Sequence, residues 1–331
     1  MPDSNRLRDA FKELDLLVAL DILPSETASL AHYMLPSTTP LERPDLPFIF
    51  PLMLGLQMKP YLQATRAVVR PDGEQRDEAS IYLDLCRFSG VKLFKSSIAQ
   101  KVLEVFSKRQ STETNKLLNV PQTGILNLLL RVCGQKSFSA LMKHPHGFLR
   151  PSHQTDFLSG RLQTGDKKVH LSPEILLKAS ESLASKFESE IINRDRYKLI
   201  TKRAVKTHNS WTHNYEPFVK PPEHTNYLYI SPLDADELHL IEGDLAVVTS
   251  ETGTVSLPVR LCPDLLRKTV ALPHGWGHQE SGLQVAGKTT GVNVNILAPS
   301  GPGKIDPVSG MALLTGIYVT IGKVQDSQGQ F

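Results

Sequence analysis

Leu245-Ala246-Val247-Val248-Thr249-Ser250, then Glu251-Thr252-Gly253, then Thr254-Val255-Ser256-Leu257-Pro258-Val259-Arg260-Leu261 reads as two strands joined by a hairpin turn. Aliphatic and β-branched residues dominate both arms, and a polar tripeptide ending in glycine separates them. The same character extends outward, with strand-like runs at Tyr197–Lys202, Tyr227–Ile230 and Val270–Leu272. Ser231-Pro232 opens one short helix, and Glu242-Gly243-Asp244 makes a turn before the first arm. Several short strands with one small helix describe a closed or nearly closed barrel, which leaves no sheet edge exposed.

Before about residue 192 the periodicity is different. Ser4 or Asn5 is placed to cap a helix over Arg6–Leu14, with Leu7, Ala10, Phe11 and Leu14 on one face. Asp15–Asp21 is an apolar run between two aspartates, the pattern of a buried parallel strand. Pro24 and Ser25 start a second helix over Glu26–Tyr33, and residues 36–62 form a proline-rich loop. A strand is expected over Gln63–Arg70, then an amphipathic helix over Glu74–Ser89 stopped by Gly90. Helical patterns recur at about Lys95–Arg109, Thr123–Val132, Ser137–Lys143 and from Ser172-Pro173 to Glu188. A polar linker at 110–116 and a loop at 144–166 separate them. This rhythm is that of an open α/β sheet, whose ligands sit beyond the carboxyl ends of the strands. The expected division is an α/β domain over 1–192 and a β-barrel domain over 193–331.

A chain of 331 residues is long enough for two cores. The formal charge of +3 gives no electrostatic case for nucleic-acid binding, which needs a clustered basic face. Cys86, Cys133 and Cys262 stand far apart without a CxxC pair, so no disulfide framework, zinc ribbon or iron–sulfur site is read within this chain. Free thiols point to the cytoplasm. The longest apolar runs, Phe48–Leu56 and Gly124–Val132, fall short of the ~20 residues that span a bilayer, so no membrane partner is expected. The N-terminus has no apolar core of a secretory signal.

The candidate chemistry gathers in the C-terminal half. Pro273-His274-Gly275-Trp276-Gly277-His278 is poor core material: its glycines admit a close ligand, and its rings offer donors and a flat face. His274 and His278 are four apart, a metal-binding spacing on a helix, but the proline and glycines argue against a helix. With His208, His213 and His224 no zinc-type spacing recurs, so no metal ligand is assigned. Ring nitrogens bonded to loop backbone are the alternative. In the polar segment 207–214, His208, Asn209, Ser210, Trp211 and His213 suit hydrogen bonding to an extended heterocycle or its phosphates. Asn293 and Asn295 would point the same way on an extended segment, or one could close an Asx-turn. Asp21, Ser25, Glu26 and Thr27 lie at a strand's carboxyl end, where they bind ligand or merely cap the next helix. No Walker loop, nucleophile elbow or GxGxxG is present, and no catalytic residue is assigned.

Taken in order, His224-Thr225-Asn226-Tyr227-Leu228-Tyr229-Ile230-Ser231-Pro232-Leu233-Asp234-Ala235, Glu242-Gly243-Asp244, Ser250-Glu251-Thr252-Gly253, the 273–278 loop, Asn293-Val294-Asn295-Ile296-Leu297 and Asp306-Pro307-Val308-Ser309-Gly310 resemble a known domain. It is the C-terminal dinucleotide-binding domain of the molybdopterin oxidoreductases, in the formate-dehydrogenase-like or biotin-sulfoxide-reductase-like group. Leu14–Asp21, Ser25-Glu26-Thr27-Ala28 and Ala31–Pro36 resemble that family's strand–helix–strand around the cofactor, with His32 where relatives often carry Asp.

The resemblance implies a partial Rossmann-like open α/β domain followed by a six-stranded double-psi-like β-barrel. It implies molybdopterin guanine dinucleotide, with molybdenum carried by that cofactor. The barrel would hold it through 207–214, His274–His278 and an Asn293–Asn295 strand, and Asp21–Thr27 would approach from the other domain. Family members are commonly more than twice as long, with an iron–sulfur cysteine motif and a molybdenum-ligand domain. Neither is read here, so the chain is expected to be incomplete as a catalyst: a truncated frame, a split subunit or a remnant. It would then work with an N-terminal catalytic chain bearing an iron–sulfur cluster, or serve as a non-catalytic cofactor-binding module. A histidine-based metalloenzyme is the third reading.

Overall fold

The computed structural model describes residues 1–46, 61–109, 117–149, 162 and 164–324. The chain begins with α1 (Ser4–Lys12), β1 (Val18–Asp21), α2 (Glu26–Leu30) and β2 (Tyr33–Pro36). There follow β3 (Tyr61–Leu62), α3 (Glu78–Ser89), α4 (Ser97–Phe106), β4 (Lys108–Arg109), β5 (Leu118–Asn119), α5 (Gln122–Val132), α6 (Phe138–Leu141) and β6 (Phe148–Leu149). The last part holds α7 (Glu174–Ser180), α8 (Leu183–Ile192), β7 (Tyr197–Lys202), β8 (Leu228–Ile230) and α9 (Pro232–Glu237). It ends with β9 (Leu245–Thr249), β10 (Thr254–Leu261), β11 (Thr269–Pro273) and β12 (Ile317–Lys323). Two compact units result: Met1–Ala19 with Leu23–Tyr33 and His170–Phe331, and Leu20–Ile22 with Met34–Val169.

In the first unit six strands close into a mixed barrel in the order β10-β8-β11-β7-β12-β9. The hairpin sets its register, with Thr254 opposite Thr249 and Leu257 opposite Ala246. β8 runs parallel to β10, and β7 parallel to β11, so the barrel needs long crossover connections. Side chains alternate strictly: Ala246, Val248, Val255, Leu257 and Val259 are buried, while their neighbours along the strands are not. Leu199, Leu228, Ile230, Val270, Leu272 and Val319 complete the interior. Ser231 caps α9, its Oγ accepting from the Asp234 N–H at 3.1 Å and donating to Asp234 Oδ2 at 2.8 Å. That carboxylate, fully buried, also accepts from the Lys268 N–H at 2.8 Å and so pins the helix to the start of β11.

The second unit is stitched by a buried polar network. Asp77 caps α3, accepting from the Ser80 N–H at 2.9 Å. Ser80 Oγ accepts from the Val120 N–H at 2.8 Å, and Asp84 Oδ2 from the Leu118 N–H at 3.1 Å and from Arg76 at 2.6 Å. Leu83, Leu118 and Val120 pack beside these bonds, and Leu46, Leu62, Leu130, Phe138 and Leu141 form a further cluster.

Several expectations change. The sixth barrel strand is Ile317–Lys323, and Val294–Ile296 is a 3₁₀ turn in place of an Asn293–Asn295 strand. The Asx alternative describes it: Asn293 Oδ1 accepts from the Asn295 N–H at 3.0 Å. Residues 63–70 do not form a strand: Tyr61–Leu62 pairs with Phe148–Leu149, and within 63–70 Thr65 makes a single antiparallel bridge to Asp45. Of the apolar run 15–21, only Val18–Asp21 is a strand, and Leu14 and Leu16 are exposed. It pairs with β2, which replaces the expected last turn of the second helix. His32 Nδ1 accepts the Leu17 N–H at 2.9 Å, a side-chain bond that competes with helix continuation. Helix α1 starts at Ser4, after Asp3, rather than being capped by Ser4 or Asn5. The helix from Ser172 is broken between α7 and α8. Residues 47–60 of the proline-rich loop, the linker at 110–116 and residues 150–161 and 163 of the 144–166 loop lie outside the described residues. Among the described residues no helix is long and apolar enough to cross a membrane.

Candidate cofactor cavity

Within the first unit, barrel loops and the two N-terminal helices surround a cavity of about 780 Å³. Its floor is made by three loops that approach backbone to backbone. Gly275 and Gly277 take φ of +92° and +93°; a Cβ at Gly275 would lie 2.0 Å from the Asn209 carbonyl oxygen, and one at Gly277 2.5 Å from the Asn293 nitrogen. Glycine is therefore required at both positions for the loops to meet. Asn226, buried, fastens them from behind: its Nδ2 donates to the Pro273 and Val292 carbonyls and its Oδ1 accepts from the Val292 N–H, all at 2.9 Å.

Two histidines of the loop face the cavity in different ways. His274 Nδ1 is 3.1 Å from the Lys202 carbonyl oxygen, and its Nε2 is 3.4 Å from Asn209 Oδ1. His278 places Nδ1 2.7 Å from Glu26 Oε1 and Nε2 2.7 Å from the Gly275 carbonyl oxygen. Both partners of His278 are acceptors, so each ring nitrogen has an oxygen to which an N–H can donate. Burial of Glu26 raises its carboxyl, but the hydrogen bond from His278, its backbone bond and the attraction of that ring outweigh it and hold the group below its ordinary value.

Behind the loop, His213 is 1% exposed, with its ring centroid 4.2 Å from that of Trp276. Burial, reinforced by neighbouring His278, pushes this imidazole down to about 4, so it is neutral near pH 7.

Of the residues singled out in the sequence, Glu26, Thr27, Asn209, Ser210, His274, Gly275, Trp276, His278, Asn293 and Asn295 line the cavity. The other five lie off its wall. Asp21 ends β1, its Oδ1 accepting from the Ile22 N–H at 2.7 Å, and Ser25 precedes α2. His208 and Trp211 are exposed, and His213 sits behind Trp276. Ser4, Leu7, Arg8 and Phe11 of α1, together with Gln279, line the cavity and were not singled out as site residues. The spacing of Leu7 and Phe11 marks an apolar face without saying what it faces. Gln279 Nε2 bridges the Thr289 and Gly291 carbonyls at 2.9 and 2.7 Å. Among the described residues no three His, Cys, Asp or Glu side chains gather as metal ligands would.

The domain family described as the molydopterin dinucleotide binding domain matches residues 197–316, and that described as molybdopterin oxidoreductase matches residues 1–88. The chain belongs to the molybdopterin oxidoreductases. It is 25% identical over 280 residues to the probable oxidoreductase YyaE of Bacillus subtilis, covering 83% of this chain and 38% of that protein. Over 315 residues it is 24% identical to the thiosulfate reductase molybdopterin-containing subunit PhsA of Salmonella typhimurium, covering 92% of this chain and 39% of the other. Acetylene hydratase from Pelobacter acetylenicus shares the fold, with a TM-score of 0.67 and 19% identity across 97% of this chain and 42% of that one. The chain thus spans about two fifths of the length of these relatives.

The cofactor that the family and domain imply is molybdopterin guanine dinucleotide carrying molybdenum. This molybdopterin oxidoreductase chain fits it on three counts. The cavity volume lies within the roughly 300–1,000 Å³ of sites that bury a large ligand. One wall is polar, with Asn209, Ser210, His274, Asn293 and Asn295 supplying donors and acceptors. The same lining carries Leu7, Phe11 and Leu30, apolar surface against which a flat heterocycle can pack.

Proposed function

We propose that this chain holds one molybdopterin guanine dinucleotide in the cavity of its first unit, as the cofactor-holding part of a molybdenum oxidoreductase. The observation that carries the reading is the convergence of 207–214, 274–278 and 293–295, all inside the dinucleotide-domain match, on one cavity. Bound, the cofactor would supply two-electron redox chemistry at its metal. The chain's own residues bind and orient it. Asn209, Asn293 and Asn295 present amides to a polar ligand edge, and His274, backed by Lys202 and Asn209, holds a ring nitrogen at the wall. Leu7 and Phe11 add apolar surface to the lining that limits water around the ligand.

Formate is the substrate class that the sequence resemblance favours. Thiosulfate and trimethylamine N-oxide, after which relatives are named, are the competitors to assay beside it. We propose turnover only with a separate polypeptide bearing an iron–sulfur cluster. The exposed apolar stripe of α8, with Leu183, Phe187 and Ile191 at successive i, i+4 positions and 62%, 67% and 49% exposed, favours such a partner over a solitary storage module. Three unpaired cysteines favour the cytoplasm.

The test is expression in a host competent for molybdenum-cofactor synthesis, followed by acid release. Pterin fluorescence and guanine nucleotide near one equivalent per chain are expected; folded protein yielding neither overturns the reading. Formate-dependent dye reduction, with and without a co-expressed iron–sulfur polypeptide encoded next to this chain, tests the substrate and the partner.

A further inference from the structure

Trp276 lies at the cavity wall yet is only 8% exposed, packed against protein neighbours. The His213 ring tilts against the indole at 43°, with centroids 4.2 Å apart. Along the Cβ–Cε3 edge of the indole, Gly291 comes so close that a Cβ there would lie 2.7 Å from Trp276 Cε3 and 2.9 Å from its Cβ and Cδ2. At that exposure the indole is held by protein contacts and is not an open stacking platform for a ligand. His213 also meets His278 edge-on, with centroids 5.6 Å apart at 74°. Its polar contacts are few: Nε2 is 3.3 Å from Thr207 Oγ1, the Gly275 backbone adds a weak bond to the ring, and Nδ1 has no partner of good hydrogen-bond geometry. An imidazole so placed contributes chiefly as a flat, space-filling ring.

We propose that His213 is a positioning residue: a ring wedge packed between Trp276 and His278 that holds the indole in its tight seat beside Gly291 and thereby fixes the 274–278 turn at the geometry that receives the dinucleotide. This assignment rests on the cavity being the cofactor site, and it moves His213 from ligand contact to support. The groups facing the wedge are His278 and His274 from the loop after β11, with Glu26 of α2 beyond His278.

The chain has two tryptophans, so Trp211→Phe leaves Trp276 as the sole indole reporter. In that background His213→Ala should shift Trp276 emission to the red, at least double its acrylamide quenching constant, and cut acid-released guanine nucleotide about tenfold. His213→Phe, which keeps a flat ring and removes both nitrogens, should restore emission and bring retention within about twofold of the parent. If His213→Phe is as deficient as His213→Ala, or if His213→Ala keeps both emission and retention, the wedge is wrong. Should His213→Ala not fold, His213→Leu, which fills space without a ring, replaces it in both readouts. A parent that releases no nucleotide would overturn the cofactor reading, while the emission measurements still decide the wedge beside Trp276.

Discussion

His278 Nδ1 lies 2.7 Å from Glu26 Oε1, joining α2 to the loop after β11 across 252 positions of sequence. The imidazole is 7% exposed and the carboxylate 45%, so the histidine depends on the contact more than the glutamate does. Glu26→Ala should therefore cost about 1–2 kcal/mol, chiefly by leaving a buried donor unsatisfied. Glu26→Gln keeps an acceptor and should cost less than half of that. Urea titration of the cofactor-free protein separates the two, and equal losses would show that the bond contributes little.

Acid should weaken the fold earlier than ordinary carboxylates would. A histidine in the unfolded chain titrates near 6.5, whereas His213 in the fold titrates near 4. Between those values the unfolded chain binds the extra proton, so stability is complete above 6.5 and is lost as pH falls toward 4. At about 1.4 kcal/mol per pH unit the loss approaches roughly 3 kcal/mol. Glu26, held below its ordinary value, acts in the same direction, its contribution present above about 4.5 and fading below. Thermal midpoints from pH 7 to 4 should fall less steeply in His213→Phe. An unchanged slope would place the acid lability elsewhere.

Glycines with positive φ should divide by what surrounds them. Gly73 has φ of +59° and nothing within 4 Å of a built Cβ, so Gly73→Ala should cost about 1 kcal/mol from backbone strain alone. Gly275→Ala adds a collision with the Asn209 carbonyl and should cost more than about 2 kcal/mol, with cofactor retention lost as well. Denaturant midpoints of the two variants give the comparison. Similar losses would mean that the loops can part without penalty.

The barrel was legible because its strands obey period-two burial and its hairpin carries a turn tripeptide; Thr254–Leu261 is a strand to the residue. Local pattern could not tell that Ile317–Lys323, beyond a glycine- and proline-rich stretch, closes the barrel by pairing with both β7 and β9. The histidines and asparagines of the cavity were legible by composition, since polar rings and amides among glycines have little use in a core. Their division of labour was not: whether a ring faces the cavity or its back, as His278 and His213 do, depends on contacts between loops distant in sequence. The same limit hid α1, whose Leu7 and Phe11 look like any core-facing stripe until Asp3 and Ser4 are seen bonded to Ala298, Ser300 and Asn293.

His274 and Asn295 offer the cleanest separation of binding from folding. Both are half-buried at the cavity wall, and neither side chain belongs to the hydrophobic interior of the barrel. His274→Ala removes two contacts to loop atoms at 3.1 and 3.4 Å, and Asn295→Ala leaves the Asx bond intact because its own backbone N–H is the donor. Each variant should lower the thermal midpoint of the cofactor-free protein by no more than a few degrees, equivalent to under about 1 kcal/mol. Each should reduce acid-released pterin and guanine nucleotide at least fivefold, because a polar group buried against the ligand loses its partner. The reverse pattern, a large loss of apo stability with cofactor retained, would make both residues structural and leave the amides of Asn209 and Asn293 as the ligand-facing set.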